Sequence, residues 1–165
     1  MNIIIFSRPV HSGKTTDLLQ WCKQEKNISG VLMPDIDGKR KILNLETNEI
    51  IGIECTDPDI DHEVLIPVGP YYFYRSVFEK FNSLLPEMFL RCPNWLVIDE
   101  VGKLELDEKG FYPAVKKILG PDSYWEKDKK NQTKLLLVVR EGLCKAVISF
   151  FKIKQYTIVN CLEDL

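Results

Sequence analysis

The sequence predicts an α/β fold in three layers (α/β/α). A mainly parallel sheet is covered by helices on both faces and carries one inserted antiparallel hairpin. Three observations predict it. Short β-branched runs without polar alternation read as strands buried on both faces. Stretches with apolar residues at helical spacing separate those runs. One pair of runs alternates apolar with polar, as a hairpin with a wet face does. The 165 residues suit one domain, residues 1–165, and no linker-like stretch divides them.

In order, Asn2 to Phe6 is a buried strand, and Ser7 to Ser12 is a turn-rich loop. Gly13 opens a helix through about Lys26, with Leu18, Leu19 and Cys22 on one stripe. Ile28 to Met33 is a second strand. Lys41 to Leu45 and Ile50 to Glu54 form the hairpin, and Cys55 to Glu63 an acidic loop. Val64 to Tyr74 contains two prolines and an aromatic cluster, Tyr71 to Tyr74, read as core at a helix start. From Tyr74 the apolar positions keep helical spacing to Leu85, where Pro86 should end or kink the helix. Trp95 to Ile98 is a buried strand closed by Asp99 and Glu100. Phe111, Val115, Ile118 and Leu119 mark a helix, Asp122 to Thr133 a charged loop and Leu135 to Val139 a strand. Leu143, Val147, Ile148 and Phe151 make a helical stripe, and Tyr156 to Val159 is the last strand.

Composition excludes several classes of function. Lys and Arg number 22 against 24 Asp and Glu, so no basic excess serves a nucleic-acid backbone. No apolar run is long enough to span a membrane. Strand-like residues begin directly after Met1, so no secretory signal is expected. The five cysteines lack any C-x-x-C pair and read as reduced cytosolic thiols.

Two strings carry chemistry. The first is Arg8-Pro9-Val10-His11-Ser12-Gly13-Lys14-Thr15-Thr16, a phosphate-binding loop of the pattern G-x-x-x-x-G-K-[ST] with Arg8 in place of the first glycine. A phosphate chain needs converging backbone N–H donors, and a strand, a tight loop and a helix N-terminus supply them. Residues Pro9 to Thr16 are the nucleotide-binding candidates. Lys14 is placed to reach the β- and γ-phosphates and the Thr15 hydroxyl to ligate Mg²⁺. His11 reads as a bystander. Arg8 precedes Pro9, so its backbone should be extended; its side chain either points to solvent, the favoured reading, or reaches the phosphates as a compensating cation.

The second string is Asp99-Glu100, at the carboxyl edge where open α/β sheets bind ligands. Adjacent strand residues point in different directions. Asp99 therefore suits the metal and Glu100 the general base toward water. The string continues to Leu106 as Asp-Glu-Val-Gly-Lys-Leu-Glu-Leu. It closely resembles the Asp-Glu-Ile-Gly-Lys-Met-Glu-Leu signature of a family of small nucleoside-triphosphatases. That family is known from thermophilic microbes and has a human cancer-related member. Gly30, and Gly69-Pro70-Tyr71 before an amphipathic helix, resemble its layout. The resemblance implies a RecA-like P-loop fold, Mg²⁺, and hydrolysis of several nucleoside triphosphates to diphosphate and phosphate. It also implies that the strand before Arg140 lies between the two motif strands, bringing Arg140 near the γ-phosphate as a catalytic cation. The Glu-x-Arg element of the family is replaced by Asp35-Ile36-Asp37, without its arginine.

Other features carry less. Asp57, Asp59 and Asp61 alternate, but His62 and Val68 occupy the positions where a calcium loop needs Gly and Glu. Lys127, Lys129 and Lys130 belong to a solvated loop. Two rival functions use the same phosphate loop. A nucleoside or nucleotide kinase would close an arginine-bearing lid, and the five arginines (Arg8, Arg40, Arg75, Arg91, Arg140) do not cluster in sequence. A nucleotide-binding switch module would bind and not turn over.

Overall fold

The structure, a computed structural model, describes residues 2–9, 12–58, 63–120, 131–163 and 165. Its first half contains β1 (Asn2–Arg8), α1 (Lys14–Gln24), β2 (Ile28–Leu32), β3 (Asp35–Ile36), β4 (Lys39–Asn44), β5 (Ile50–Gly52), β6 (Glu54–Cys55), β7 (Leu65–Val68) and β8 (Tyr71–Tyr74). The second half contains α2 (Arg75–Leu90), β9 (Trp95–Val101), α3 (Lys103–Leu106), α4 (Tyr112–Leu119), β10 (Lys134–Arg140), a 3-10 turn (Glu141–Leu143), α5 (Cys144–Phe150) and β11 (Thr157–Val159).

The main sheet runs β11-β1-β10-β9-β2-β4-β3, with β5 also paired to β4. From β11 to β2 every pairing is parallel, and the β2–β4, β3–β4 and β4–β5 pairings are antiparallel. The expected α/β/α layering with an inserted hairpin is therefore present, and β10 lies between β1 and β9. Strand alternation makes the layers. Ile5, Leu96, Ile98, Leu135 and Leu137 join a core with α2, α4 and α5. Ile4, Phe6, Val97, Leu136 and Val138 join the opposite core, with Leu18 and Cys22 of α1. The parallel strands all end at one edge, where Arg8 stands beside Arg140 and Val139 beside Val101.

Three expectations are corrected. Helix α2 does not stop at Pro86 but runs through it to Leu90. A proline inside a helix costs about 3 kcal/mol. Continuing the helix buries Met88 and Phe89 completely, at about 1.5–3 kcal/mol each, which offsets it. The segment from Val64 to Tyr74 is a hairpin, not a helix-start cluster. β7 and β8 pair antiparallel around Gly69 and Pro70, and β6 joins them in a separate small sheet. Phe73 is buried there, while Tyr71 and Tyr72 are exposed. Cys55 lies in β6 rather than in an acidic loop. Asp59, Asp61, His62, Lys127, Lys129 and Lys130 lie outside the described residues. Among the described residues no helix is long and apolar enough to cross a membrane.

Candidate functional site

The phosphate loop joins β1 to α1. Gly13, immediately before α1, has φ 79°, a left-handed conformation that favours glycine. Lys14 Nζ donates to the carbonyls of Arg8 (3.0 Å) and Pro9 (2.8 Å), so its ammonium is folded into the loop. Thr15 is half-buried in the first turn of α1, and Thr16, Ser12 and Pro9 are exposed. Val10 and His11 lie outside the described residues.

Arg8 does not face solvent, as the sequence suggested. Its backbone is strand, as expected before Pro9, but its guanidinium pairs with Asp17 and donates from Nε to the Asn160 carbonyl. It also stands 5.0 Å from the centre of the Phe6 ring. Asp17, one helical turn into α1, and Asn160, just past β11, offer acceptors that solvent would otherwise supply. Arg8 thus ties the loop to its neighbours on both sides.

The acid pair lies within β9, not after it. The β9–β10 register passes from Ile98↔Leu137 to Val101↔Val139, so Asp99 and Glu100 together oppose Val138. This is a bulge, with Glu100 at φ 56°. A non-glycine residue there is strained, and such strain at a sheet edge re-aims side chains at functional sites. Asp99 is turned inward and is 1% exposed. It accepts the N–H of Met33 on Oδ2 (3.0 Å) and that of Glu100 on Oδ1 (2.8 Å). Burial, reinforced by the neighbouring Glu100 charge, raises its pKa to about 6. The same burial, with Asp99 and Glu25 nearby, pushes the Cys22 thiol up to about 12. A thiol held that high carries little thiolate near neutral pH.

Glu100 points outward to two guanidiniums. Its Oε2 is 3.4 Å from Arg140 and its Oε1 is 3.7 Å from Arg40. Arg140 comes from the end of β10, on one flank of β9. Arg40 comes from β4, beyond β2 on the other flank. Arginines that do not cluster in sequence therefore converge in space.

A cavity of about 260 Å³ opens beside this group. Its lining includes Arg40, Glu100 and Arg140 together with Tyr71, Phe73 and Phe111. Glu105, also in the lining, accepts the N–H of Gly102 (2.7 Å) and of Phe111 (2.8 Å). Burial raises the Glu105 pKa to about 7 despite those two bonds.

The oxygen donors suit a small hard cation. No group of three or more His, Cys, Asp or Glu side chains is poised around one point among the described residues. A hydroxyl and one buried carboxylate match Mg²⁺, which takes few protein ligands and completes its shell from phosphates and water.

The nucleoside-triphosphatase THEP1 of Thermotoga petrophila is 33% identical to the chain over 123 residues, 72% of the chain and 65% of that relative. THEP1 of Thermotoga sp. strain RQ2 is 32% identical over 123 residues, covering 72% of the chain and 67% of that relative. The chain belongs to the THEP1 nucleoside-triphosphatase family. It spans just under two thirds of the Thermotoga petrophila protein's length. The crystal structure of THEP1 from Aquifex aeolicus aligns with 96% of the chain and 88% of its own length, at a TM-score of 0.65 and 19% identity. That likeness establishes a common fold. No protein-family model matches the chain.

Within this THEP1-like frame, sequence reasoning missed Arg40. The residues at the place of the family's Glu-x-Arg element hold no arginine, but Asp35 is in register with Arg40 across the β3–β4 pairing. The short hairpin around Asp37 and Gly38, both with positive φ, returns the chain to place Arg40 there, a relation that only the fold shows.

Proposed function

We propose that the chain is a Mg²⁺-dependent nucleoside-triphosphatase that converts a triphosphate and water to diphosphate and phosphate. One observation carries the reading. The lysine-bearing loop after β1 and the acid pair of β9 end at the same edge of one parallel sheet, separated by β10. In such a site the loop N–H groups from Pro9 to Thr16 bind the phosphates, and Lys14 exchanges its loop carbonyls for phosphate oxygens. Thr15 and Asp99 would hold Mg²⁺, which neutralises developing charge on the phosphates. Glu100 orients the attacking water and takes its proton. Arg140, 3.4 Å from Glu100, stabilises the equatorial oxygens of the transferring group in this reading. The relatives are named nucleoside-triphosphatases, and we infer the same substrate class here, without restriction to one base. Five free cysteines suit a reducing compartment, the cytosol.

The test is phosphate release from each of the four ribonucleoside triphosphates, with Mg²⁺ and with EDTA, for the wild type and Glu100→Gln. The expected result is Mg²⁺-dependent release from all four. Glu100→Gln should bind normally and turn over about 10²-fold more slowly, as for a lost general base. Tight binding without release would instead make the chain a nucleotide-binding switch. A second reading, phosphoryl transfer, is favoured by the cavity beside Glu100, which has room for an acceptor ring. It would appear as phosphate release that falls when an acceptor nucleoside or nucleotide is added, with a phosphorylated acceptor formed.

A further inference from the structure

We propose that Arg40 is a second cation of the terminal-phosphate site, so that it distinguishes a triphosphate from a diphosphate. The inference rests on the nucleotide-binding reading above. Arg40 pairs with Glu100 in this structure and would pair with the terminal phosphoryl group of a bound triphosphate.

Four observations carry it. First, the two oxygens of Glu100 are divided between two guanidiniums, Arg40 at 3.7 Å and Arg140 at 3.4 Å. A terminal phosphoryl group bears more charge than a carboxylate and offers three oxygens. It therefore competes with Glu100 for both cations. Second, the guanidinium of Arg40 is held independently of Glu100. Its Nη1 donates to the Met33 carbonyl at 3.0 Å, and the strand backbone that bears it is held by the Arg40 N–H donating to Glu54 Oε2 at 3.0 Å. A cation fixed in this way need not be reordered when a ligand arrives. Third, Met33 also donates its N–H to Asp99 Oδ2. Arg40 therefore touches the same residue that orients the buried acid, and it reaches both members of the acid pair, one directly and one through Met33. Fourth, Arg40, Glu100 and Arg140 line one cavity, so the two guanidiniums look into a common space.

A purely structural ion pair fits these facts less well. Such a pair closes to hydrogen-bond distance, whereas the Arg40–Glu100 separation exceeds the Arg40–Met33 one. The guanidinium is seated on Met33 and only faces Glu100. Releasing Glu100 from this pair also frees a carboxylate oxygen for water. Binding of a terminal phosphate and readiness of the base are thus coupled through one side chain.

The experiment compares the affinities of Mg²⁺ with a non-hydrolysable triphosphate analogue and with the corresponding diphosphate, by calorimetric titration. The wild type, Arg40→Ala and Arg40→Lys are measured, with circular dichroism and thermal melts to establish folding. The wild type should bind the triphosphate analogue more tightly than the diphosphate. Arg40→Ala should lose about tenfold in triphosphate affinity, the value of one charged contact, and stay within about twofold for the diphosphate. Arg40→Lys, which keeps the charge and loses the planar fork, should fall between them. A wild-type ratio in folded Arg40→Ala overturns the proposal. If Arg40→Ala does not fold, a wild-type ratio in Arg40→Lys overturns it equally. A wild type that binds both nucleotides with equal affinity overturns this proposal alone. A wild type that discriminates between them but releases no phosphate overturns only the hydrolase reading.

Discussion

The guanidinium of Arg8 pairs with the carboxylate of Asp17, joining the last residue of β1 to the first turn of α1 across the phosphate loop. The two side chains are 20% and 48% exposed, so the pair contributes under about 1 kcal/mol. The contact with Phe6 adds about 0.5–1 kcal/mol. Arg8→Ala should therefore lower stability by about 1–2 kcal/mol and Tm by a few degrees. Triphosphate affinity should stay within about threefold, because the guanidinium is committed to Asp17 and Asn160. Thermal melts and nucleotide titration on the same preparation check both. An unchanged Tm with a tenfold weaker affinity would transfer Arg8 from the scaffold to the phosphates.

Lys14→Ala should weaken triphosphate binding by about tenfold or more at moderate salt, through the loss of a charge-assisted contact. Stability should change little, since among the described residues the ammonium's hydrogen bonds go to the carbonyls of Arg8 and Pro9, at the rim of the loop. Unchanged nucleotide affinity would remove the phosphate-loop assignment.

What was legible in the sequence was local. Lys14 and Thr15 stand in one string, and Asp99 and Glu100 in another. Buried strands announce themselves by runs such as Ile3-Ile4-Ile5 and Leu135-Leu136-Leu137, which left the layering and strand types readable. Arg40 was not readable, because its meaning depends on Glu100, sixty positions away and two strands over. Of the two outcomes the sequence allows at Pro86, an end or a kink, the end does not occur, because the local rule meets a larger non-local term, the burial of Met88 and Phe89. The β7–β8 hairpin did leave a signal, the turn dipeptide Gly69-Pro70 between two apolar runs. The aromatic cluster at its end hid it.

Gly30 is fixed by the sheet rather than by chemistry. It has φ 117°, and a Cβ there would lie 2.0 Å from the Val97 carbonyl oxygen of β9. Gly30→Ala must move β2 away from the strand that carries Asp99 and Glu100. The expected loss is about 3 kcal/mol or more, or failure to fold. Gly142→Ala, where a Cβ meets nothing within 4 Å, is the control and should stay within about 0.5 kcal/mol. Urea unfolding of the two variants separates the outcomes, and equal midpoints would contradict the close approach.

Glu105 should make stability fall as pH rises through neutrality. Its pKa is raised from 4.5 to about 7, chiefly by burial, with Glu100 adding to it and the N–H groups of Gly102 and Phe111 opposing. Below about pH 4.5 the carboxyl is protonated in both folded and unfolded chains. Between there and pH 7 the folded chain binds the proton more tightly, so each step up in pH costs folding free energy. Above about pH 8 both forms are ionised and the cost is constant, about 3 kcal/mol in all. Asp99, raised to about 6, acts with the same sign but is half-titrated at pH 6 and fades by about pH 7. The larger part of the decline from pH 6 to 7 therefore belongs to Glu105. Glu105→Gln removes that part. The amide oxygen can accept from only one of the two N–H groups, which costs about 1–3 kcal/mol at every pH. The variant should thus be less stable than wild type at pH 5, and the gap should close or reverse by pH 8. Urea unfolding at pH 5, 6, 7 and 8 reads this directly, and parallel curves for the two proteins would show that Glu105 does not titrate in this range.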